Sequence, residues 1–290
     1  MQSKLNDWID EYFDQMIEAL QGLIRIDSSL DEERAAPGAP FGPGCRRALD
    51  YFLEHAQQLG FTCKNLDGYA GYAKFGPEAQ GVVGILTHLD VVPATPEGWR
   101  YPPFAAVIEG DKLYGRGSED DKGPLMAALY AMWALKESGL PVNKEIRLIA
   151  GCDEETGSRC IKHYLAEEGQ FDYGFSPDGL FPIYNAEKGI ARIFFSKLFD
   201  TQNSVIKQIS GGTKINMVPG MAKAIVVSDM LPQLQASIAR LGLGDDILLM
   251  ETAEGVLVQA KGITVHSMEP EKGKNAVLLL LAVLAGLEKP

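Results

Sequence analysis

The chain holds 290 residues, 46% hydrophobic and 23% charged, a composition that excludes a disordered or collagen-like protein. Lys and Arg number 27 against 39 Asp and Glu, and the net charge of −12 repels phosphate backbones and anionic lipid. The expected partners are therefore neither nucleic acid nor membrane, and cations are favoured.

Acidic Asp7, Asp10, Glu11 and Asp14 within the first twenty residues do not suit a secretory signal. Four cysteines without Cys-x-x-Cys spacing (Cys45, Cys63, Cys152, Cys160) read as reduced thiols, so the expected location is cytoplasmic. From Leu5 to Ile24, apolar residues recur at helical spacing and predict one long amphipathic helix. A Pro- and Gly-rich loop, Ser28 to Gly44, precedes a second helix reaching about Leu59. The run Val82 to Thr87 has the character of a buried central strand. A helix over Leu125–Lys136 follows, with Pro124 in its first turn. Next come a strand Glu145–Ala150, a helix Ile161–Glu167 and a strand Phe171–Ser176.

Strands alternating with helices predict an α/β domain over residues 1–186. Beyond a boundary near Glu187 the pattern becomes α+β. Strands are expected at Ala191–Phe199, Ala222–Val227 and Gly255–Lys261, and helices at Leu231–Leu241 and Asn275–Leu287. The last helix is apolar on every face over Val277–Leu284 and calls for cover on all sides, so the chain is expected to be truncated at its C-terminus. Its apolar run is shorter than the roughly 20 residues that span a bilayer.

Chemistry concentrates after the predicted strands of the first domain. His88 and Asp90 lie two apart just past Thr87 and can share one face. That places them at a strand's carboxyl end, where open α/β sheets bind ligands. The segment Gly115-Arg116-Gly117-Ser118-Glu119-Asp120-Asp121-Lys122-Gly123 sets three acids in a row before a helix, which is costly unless a cation neutralises them. Asp120 stands where a dinucleotide-binding loop needs its third glycine, so that reading is excluded. Cys152-Asp153-Glu154-Glu155-Thr156-Gly157 follows the strand ending at Ala150. Adjacent Glu154 and Glu155 point apart, so one can meet a metal while the other meets the substrate's water. The plainer alternative is an acidic helix start capped by Thr156 or Ser158. Asp178 follows the next strand in Ser176-Pro177-Asp178-Gly179. His88, Asp120, Glu155 and Asp178 together, with no thiolate, suit Zn²⁺, Co²⁺ or Mn²⁺ rather than Ca²⁺.

The ordered set Thr-His-Leu-Asp, Gly-Arg-Gly-x-x-Asp-Asp-Lys-Gly, Asp-Glu-Glu-Thr-Gly and Ser-Pro-Asp-Gly resembles the co-catalytic di-zinc metallopeptidases of the aminoacylase and carnosinase group, and is most similar to the bacterial dipeptidase V (Xaa-His dipeptidase) branch. Gly98-Trp99-x-x-x-Pro103-Phe104, Gly211-Gly212-Thr213-x-x-Asn216-Met217-Val218-Pro219 and His266-Ser267-Met268-x-Pro270-x-x-Gly273-x-Asn275-Ala276 match as well. The resemblance implies a zinc-peptidase-like α/β catalytic domain with a central mixed sheet, and a partial α+β lid over residues 187–290. It implies two Zn²⁺ ions bridged by Asp120, with His88 and Asp178 on one and Glu155 on the other. Asp90 would orient His88, Glu154 would act as general base, and Asn216 and His266 would meet a small peptide with a free N-terminus. It also implies a cis peptide bond between Asp120 and Asp121.

Members of this group are longer, and a later segment supplies the histidine of the second zinc. Only His55, His88, His163 and His266 occur here, and the first and third fall within predicted helices. Two further readings therefore stand beside the dipeptidase. One is an N-acyl amino acid hydrolase or carboxypeptidase of the same fold, and the other an inactive fragment retaining one metal site.

Overall fold

The apolar run of residues 82–87 becomes the inner strand of a sheet because each of its faces has a layer to bury against. In the computed structural model, which describes residues 2–77, 80–179, 182–184, 186, 189, 193–196 and 204–287, the chain divides into two compact units, 1–188 and 189–290. The first unit contains helices α1 (Gln2–Glu11), α2 (Phe13–Ile24), α3 (Pro43–Gln58), α4 (Lys122–Glu137) and α5 (Arg159–Glu168). Its strands are β1 (Thr62–Leu66), β2 (Ala70–Phe75), β3 (Val82–His88), β4 (Val107–Glu109), β5 (Lys112–Tyr114), β6 (Glu145–Gly151) and β7 (Tyr173–Phe175). The main sheet runs β1-β2-β6-β3-β7. β1, β2 and β6 pair antiparallel, and β3 lies parallel to both β6 and β7, so the sheet is mixed.

Strand β6 serves two cores by alternation. Leu148 and Ala150 join the large cluster with Leu23, Phe52, Leu125 and Met126 from α2, α3 and α4. Ile149 points the other way, into a smaller cluster with Leu66, Tyr72 and Tyr164 of α5. Each fully buried side chain of this size contributes about 1.5–3 kcal/mol.

The predicted first helix is instead two, joined at Tyr12. Main-chain hydrogen bonding crosses the joint, from Tyr12 to Trp8 and from Met16 to Tyr12. The Tyr12 ring packs 4.4 Å from Trp8 and 4.8 Å from Trp133 of α4, so aromatic packing sets the bend. The hairpin β1–β2 was not expected. It turns at Asp67 (φ 52°) and Gly68 (φ 76°), with the Tyr69 N–H donating to the Leu66 carbonyl. Both turn residues are left-handed, which matches the twist of the flanking strands.

The second unit contains β8 (Ile206–Gly211), β9 (Met217–Val218), β10 (Met221–Val226), α6 (Leu231–Leu241), β11 (Ile247–Thr252), β12 (Gly255–Lys261), β13 (Val265–His266) and α7 (Ala276–Leu284). An antiparallel sheet β11-β12-β10-β8 packs the alternate residues Ala222, Ala224, Val226, Val256, Val258 and Ala260 against α6 and α7. Helix α7 buries Ala276, Leu280, Val283 and Leu284 there and leaves Leu278 and Leu281 exposed. Most of the strand expected over 191–199 lies outside the described residues, and its described part, 193–196, is not in a strand. All four cysteines are free thiols, and no helix among the described residues is long and apolar enough to cross a membrane.

Candidate metal centre

The parallel strands β6, β3 and β7 end together, and each passes directly into an acidic segment. His88 is the last residue of β3, Asp90 follows it, Glu154 and Glu155 follow β6, and Asp178 follows β7. Asp120 and Asp121 sit immediately before α4, and the peptide bond between them is cis.

His88 is 2% exposed and tied at three points. Its main-chain N–H donates to Asp121 Oδ2 at 3.0 Å, and its Nδ1 lies 2.9 Å from the carbonyl oxygen of Asp90. A carbonyl can only accept, so Nδ1 carries the hydrogen and Nε2 is left to the cluster. Nε2 lies 2.9 Å from Asp120 Oδ1 and 3.4 Å from Asp178 Oδ2. Ligand atoms of His88, Asp120 and Asp178 all fall within 4.8 Å of one another. An ion about 2.0–2.2 Å from each of three such atoms requires separations of this order, and a histidine held through its second nitrogen is the usual partner. The donor set fits a divalent transition metal. Glu155 stands outside this group of three.

The Asp90 carboxylate reaches further than His88. Its Oδ1 accepts the Glu154 N–H and its Oδ2 the Glu155 N–H, both at 3.0 Å, while Nδ1 of His88 lies 3.5 Å from Oδ1. A second clamp on this turn was not legible in the residue pattern. Asp153, 1% exposed, accepts from the Thr156 hydroxyl, from the Arg159 N–H at 3.0 Å and from the Arg159 Nε at 2.7 Å. Ser158 occupies the N-cap of α5 but makes no capping bond with its side chain; the Arg159 N–H goes to Asp153 instead, the task the plainer alternative gave to Thr156 or Ser158. The acid in Asp-Glu-Glu was visible in the sequence, but its pairing with Arg159 was not.

So many carboxyl groups around one imidazole move each other's protonation. Burial works against charge on His88, but hydrogen bonds to Asp120 and Asp90 and the charges of Asp90 and Asp121 outweigh it and push the imidazole up to about 12. The His88 bond holds Asp120 below the usual carboxylate range. Loss of solvent, then the Asp120 charge, raises Glu155 to about 7. Loss of solvent and the Asp178 charge raise Glu154. Burial lifts Asp121 to about 7, and its Oδ1 is buried without a hydrogen-bond partner. The cluster as a whole holds positive charge strongly, either a proton or a cation.

A cavity of about 320 Å³ opens beside this cluster, lined by His88, Glu154, Ser176 and Asp178 among others. In the second unit, Asn216 and His266 are neighbours. His266 pairs with Met217 across the β9–β13 ladder, and the Ser267 N–H donates to the Asn216 carbonyl at 2.9 Å.

Residues 84–257 match peptidase family M20/M25/M40, more than half of the chain. The chain is 38% identical over 289 residues to "Putative dipeptidase YtjP" of Bacillus subtilis (strain 168), covering 95% of this chain and 60% of that protein. It is 38% identical over 290 residues to a protein of the same description from Staphylococcus aureus (strain N315), covering 96% of this chain and 61% of the other. The crystal structure of human carnosine dipeptidase 1 superposes with a TM-score of 0.51 at 26% identity, over 62% of this chain and 42% of that one. The chain thus spans about three-fifths of the length of the bacterial relatives it matches. A mixed sheet with β3 parallel to β6 and β7, flanked by helices, accords with these matches, and the chain belongs to peptidase family M20/M25/M40.

Proposed function

We propose that this chain carries the metal-holding half of a dipeptidase, with His88, Asp120 and Asp178 as ligands of one divalent ion and Asp120 and Glu155 as ligands of a second. Zn²⁺ is the ion this donor set favours, with Co²⁺ or Mn²⁺ as substitutes. The observation that carries the reading is the convergence of the His88, Asp120 and Asp178 ligand atoms within 4.8 Å at the carboxyl ends of parallel strands. When bound, such a pair would supply Lewis-acid polarisation of the scissile carbonyl and a water of lowered pKa.

The rest of the work falls to side chains. Glu154, its pKa raised by desolvation and neighbouring charge, takes a proton from the attacking water and passes it to the leaving amine. Asp90 and Asp153 hold the turn that presents Glu154. For the second unit, the sequence resemblance makes Asn216 and His266 the candidates to meet the substrate, with His266 at the developing oxyanion. The acidic surroundings suit a free N-terminal ammonium, and a cavity of about 320 Å³ suits a substrate as small as a dipeptide. The dipeptidase names of the bacterial relatives and of the human structure favour the same substrate class.

The test is hydrolysis by the Zn²⁺-loaded chain of a dipeptide panel and of the same dipeptides acetylated at the N-terminus. Cleavage of the free peptides alone is expected. Preference for the acetylated set would make the protein an N-acyl amino acid hydrolase, and metal binding without any hydrolysis would leave a single-site binding fragment.

A further inference from the structure

Lys122 follows Asp120–Asp121 directly and is fully buried, yet no step in the proposed chemistry uses it. Its Nζ donates to the carbonyl oxygens of Leu23 at 3.2 Å and Ile26 at 2.8 Å. Leu23 lies in the last turn of α2 and Ile26 two residues past its end, where the helix dipole favours a cation; the Leu23 carbonyl also accepts the Ile26 N–H at 3.2 Å. The Lys122 stem runs past Gly117, where an added Cβ would lie 3.0 Å from Lys122 Cδ and where φ is +86°. The loop closes around that stem through a Gly123 N–H bond to the Gly117 carbonyl at 3.3 Å.

Asp120 therefore stands between two anchors. On one side Asp121 Oδ2 holds the main chain of His88. On the other, Lys122 bolts the loop to α2, whose Leu23 and Ile24 are fully buried in the main core. The Asp120 side chain itself is 56% exposed, and its Oδ1 lies 2.9 Å from His88 Nε2. We infer that Lys122 is a positioning residue of the metal centre, keeping the Asp120 carboxylate at its distance from His88 by locking the loop to the end of α2. A helix about a hundred residues earlier in sequence is in this way part of the metal site. The inference rests on the reading of His88, Asp120 and Asp178 as ligands.

The test is Co²⁺ binding to the full chain, followed by visible absorption, alongside thermal melting of the metal-free protein. Lys122→Met keeps the stem and removes the donor. It is expected to weaken Co²⁺ binding by about 10–100-fold, the usual effect of losing an outer support, and to alter the Co²⁺ spectrum. Lys122→Arg, which keeps a donor, is expected to recover most of the affinity. Phe52→Leu, in the same core but away from the loop, is expected to lower the melting temperature with affinity and spectrum unchanged.

Equal Co²⁺ affinity and spectrum in wild type and Lys122→Met would overturn the proposal, leaving Lys122 a core anchor only. A second measurement needs no variant. Coupling is reciprocal, so Co²⁺ should slow amide exchange in residues 23–28 as well as 117–123 of the wild-type chain. Unchanged exchange at 23–28 would also overturn the proposal. A wild-type chain that binds no Co²⁺ would instead overturn the metal reading, and this inference with it.

Discussion

Asp90 grips Glu155 by its main chain rather than facing it side chain to side chain. Oδ2 of Asp90 accepts the Glu155 N–H at 3.0 Å, and Oδ1 accepts that of Glu154 at the same distance. Since the carbonyl of Asp90 also holds Nδ1 of His88 at 2.9 Å, one residue sets both the histidine of the cluster and the turn bearing the two glutamates. Asp90→Asn keeps the shape but turns one acceptor into a donor, which must then face an N–H. Calorimetric titration should find metal affinity lower by about 10–100-fold. Wild-type affinity in Asp90→Asn would mean that the turn holds itself.

Glu154 is the group whose loss should separate binding from chemistry. It lies outside the His88, Asp120 and Asp178 cluster, so Glu154→Gln should bind metal as the wild type does. Peptide hydrolysis should fall by about 10²–10⁴-fold, the range of a lost general base. Hydrolysis at the wild-type rate would remove Glu154 from the proton path.

Metal removal should be visible in stability before any activity is assayed. Asp120, Asp121, Glu155 and Asp178 crowd one imidazole, and burial raises three of these four carboxyl pKa values. A cation relieves that crowding in the folded state alone. At a hundredfold excess over Kd, Zn²⁺ should add about 2.7 kcal/mol, or roughly 5–10 °C in the melting of the chelator-treated protein. Ca²⁺, which prefers six to eight oxygen ligands, should add far less. Identical melting with and without Zn²⁺ would mean that the cluster closes on no ion.

Where the sequence carried strong periodicity, it carried the fold. The run at β3 and the segments that became β12 and α6 could be read directly, because burial on a sheet or a helix face demands those patterns. Strand β8 could not, since Lys207 and Gln208 expose it at a sheet edge. Nor could β11, whose Leu248, Leu249 and Met250 suit a helix equally well until pairing with β12 decides. The hairpin β1–β2 did leave a signal, the Asp67-Gly68 turn. The candidate site divides in the same way. Its ionisable residues stood out because acids after strands are conspicuous. Their supports did not, since the bond from Arg159 to Asp153 depends on how the six-residue turn between them folds, and those from Lys122 to the end of α2 exist only once distant segments meet.

One last prediction concerns acid stability away from the metal centre. On the α5 face of the sheet, Glu168 accepts from Lys64 at 2.5 Å, from the Tyr72 hydroxyl at 3.1 Å and from buried Arg147 at 3.1 Å. Burial alone would raise its pKa, but the bonds from Lys64 and Tyr72 and the charges of Lys64 and Arg147 outweigh it and hold the carboxyl below its ordinary 4.5. A carboxyl depressed on folding adds stability above its unfolded pKa and loses it as pH falls through the folded value. Glu168→Gln should therefore cost on the order of 1–3 kcal/mol near neutral pH, where Arg147 loses a charged partner. The gap to wild type should narrow as urea unfolding is repeated from about pH 6 down to about pH 3, because the wild-type carboxyl takes up a proton as pH falls through its lowered folded value. A gap of the same size at both ends would mean that Glu168 acts by packing alone, and that the ion cluster of Arg147, Glu145 and Lys74 beside it is self-sufficient.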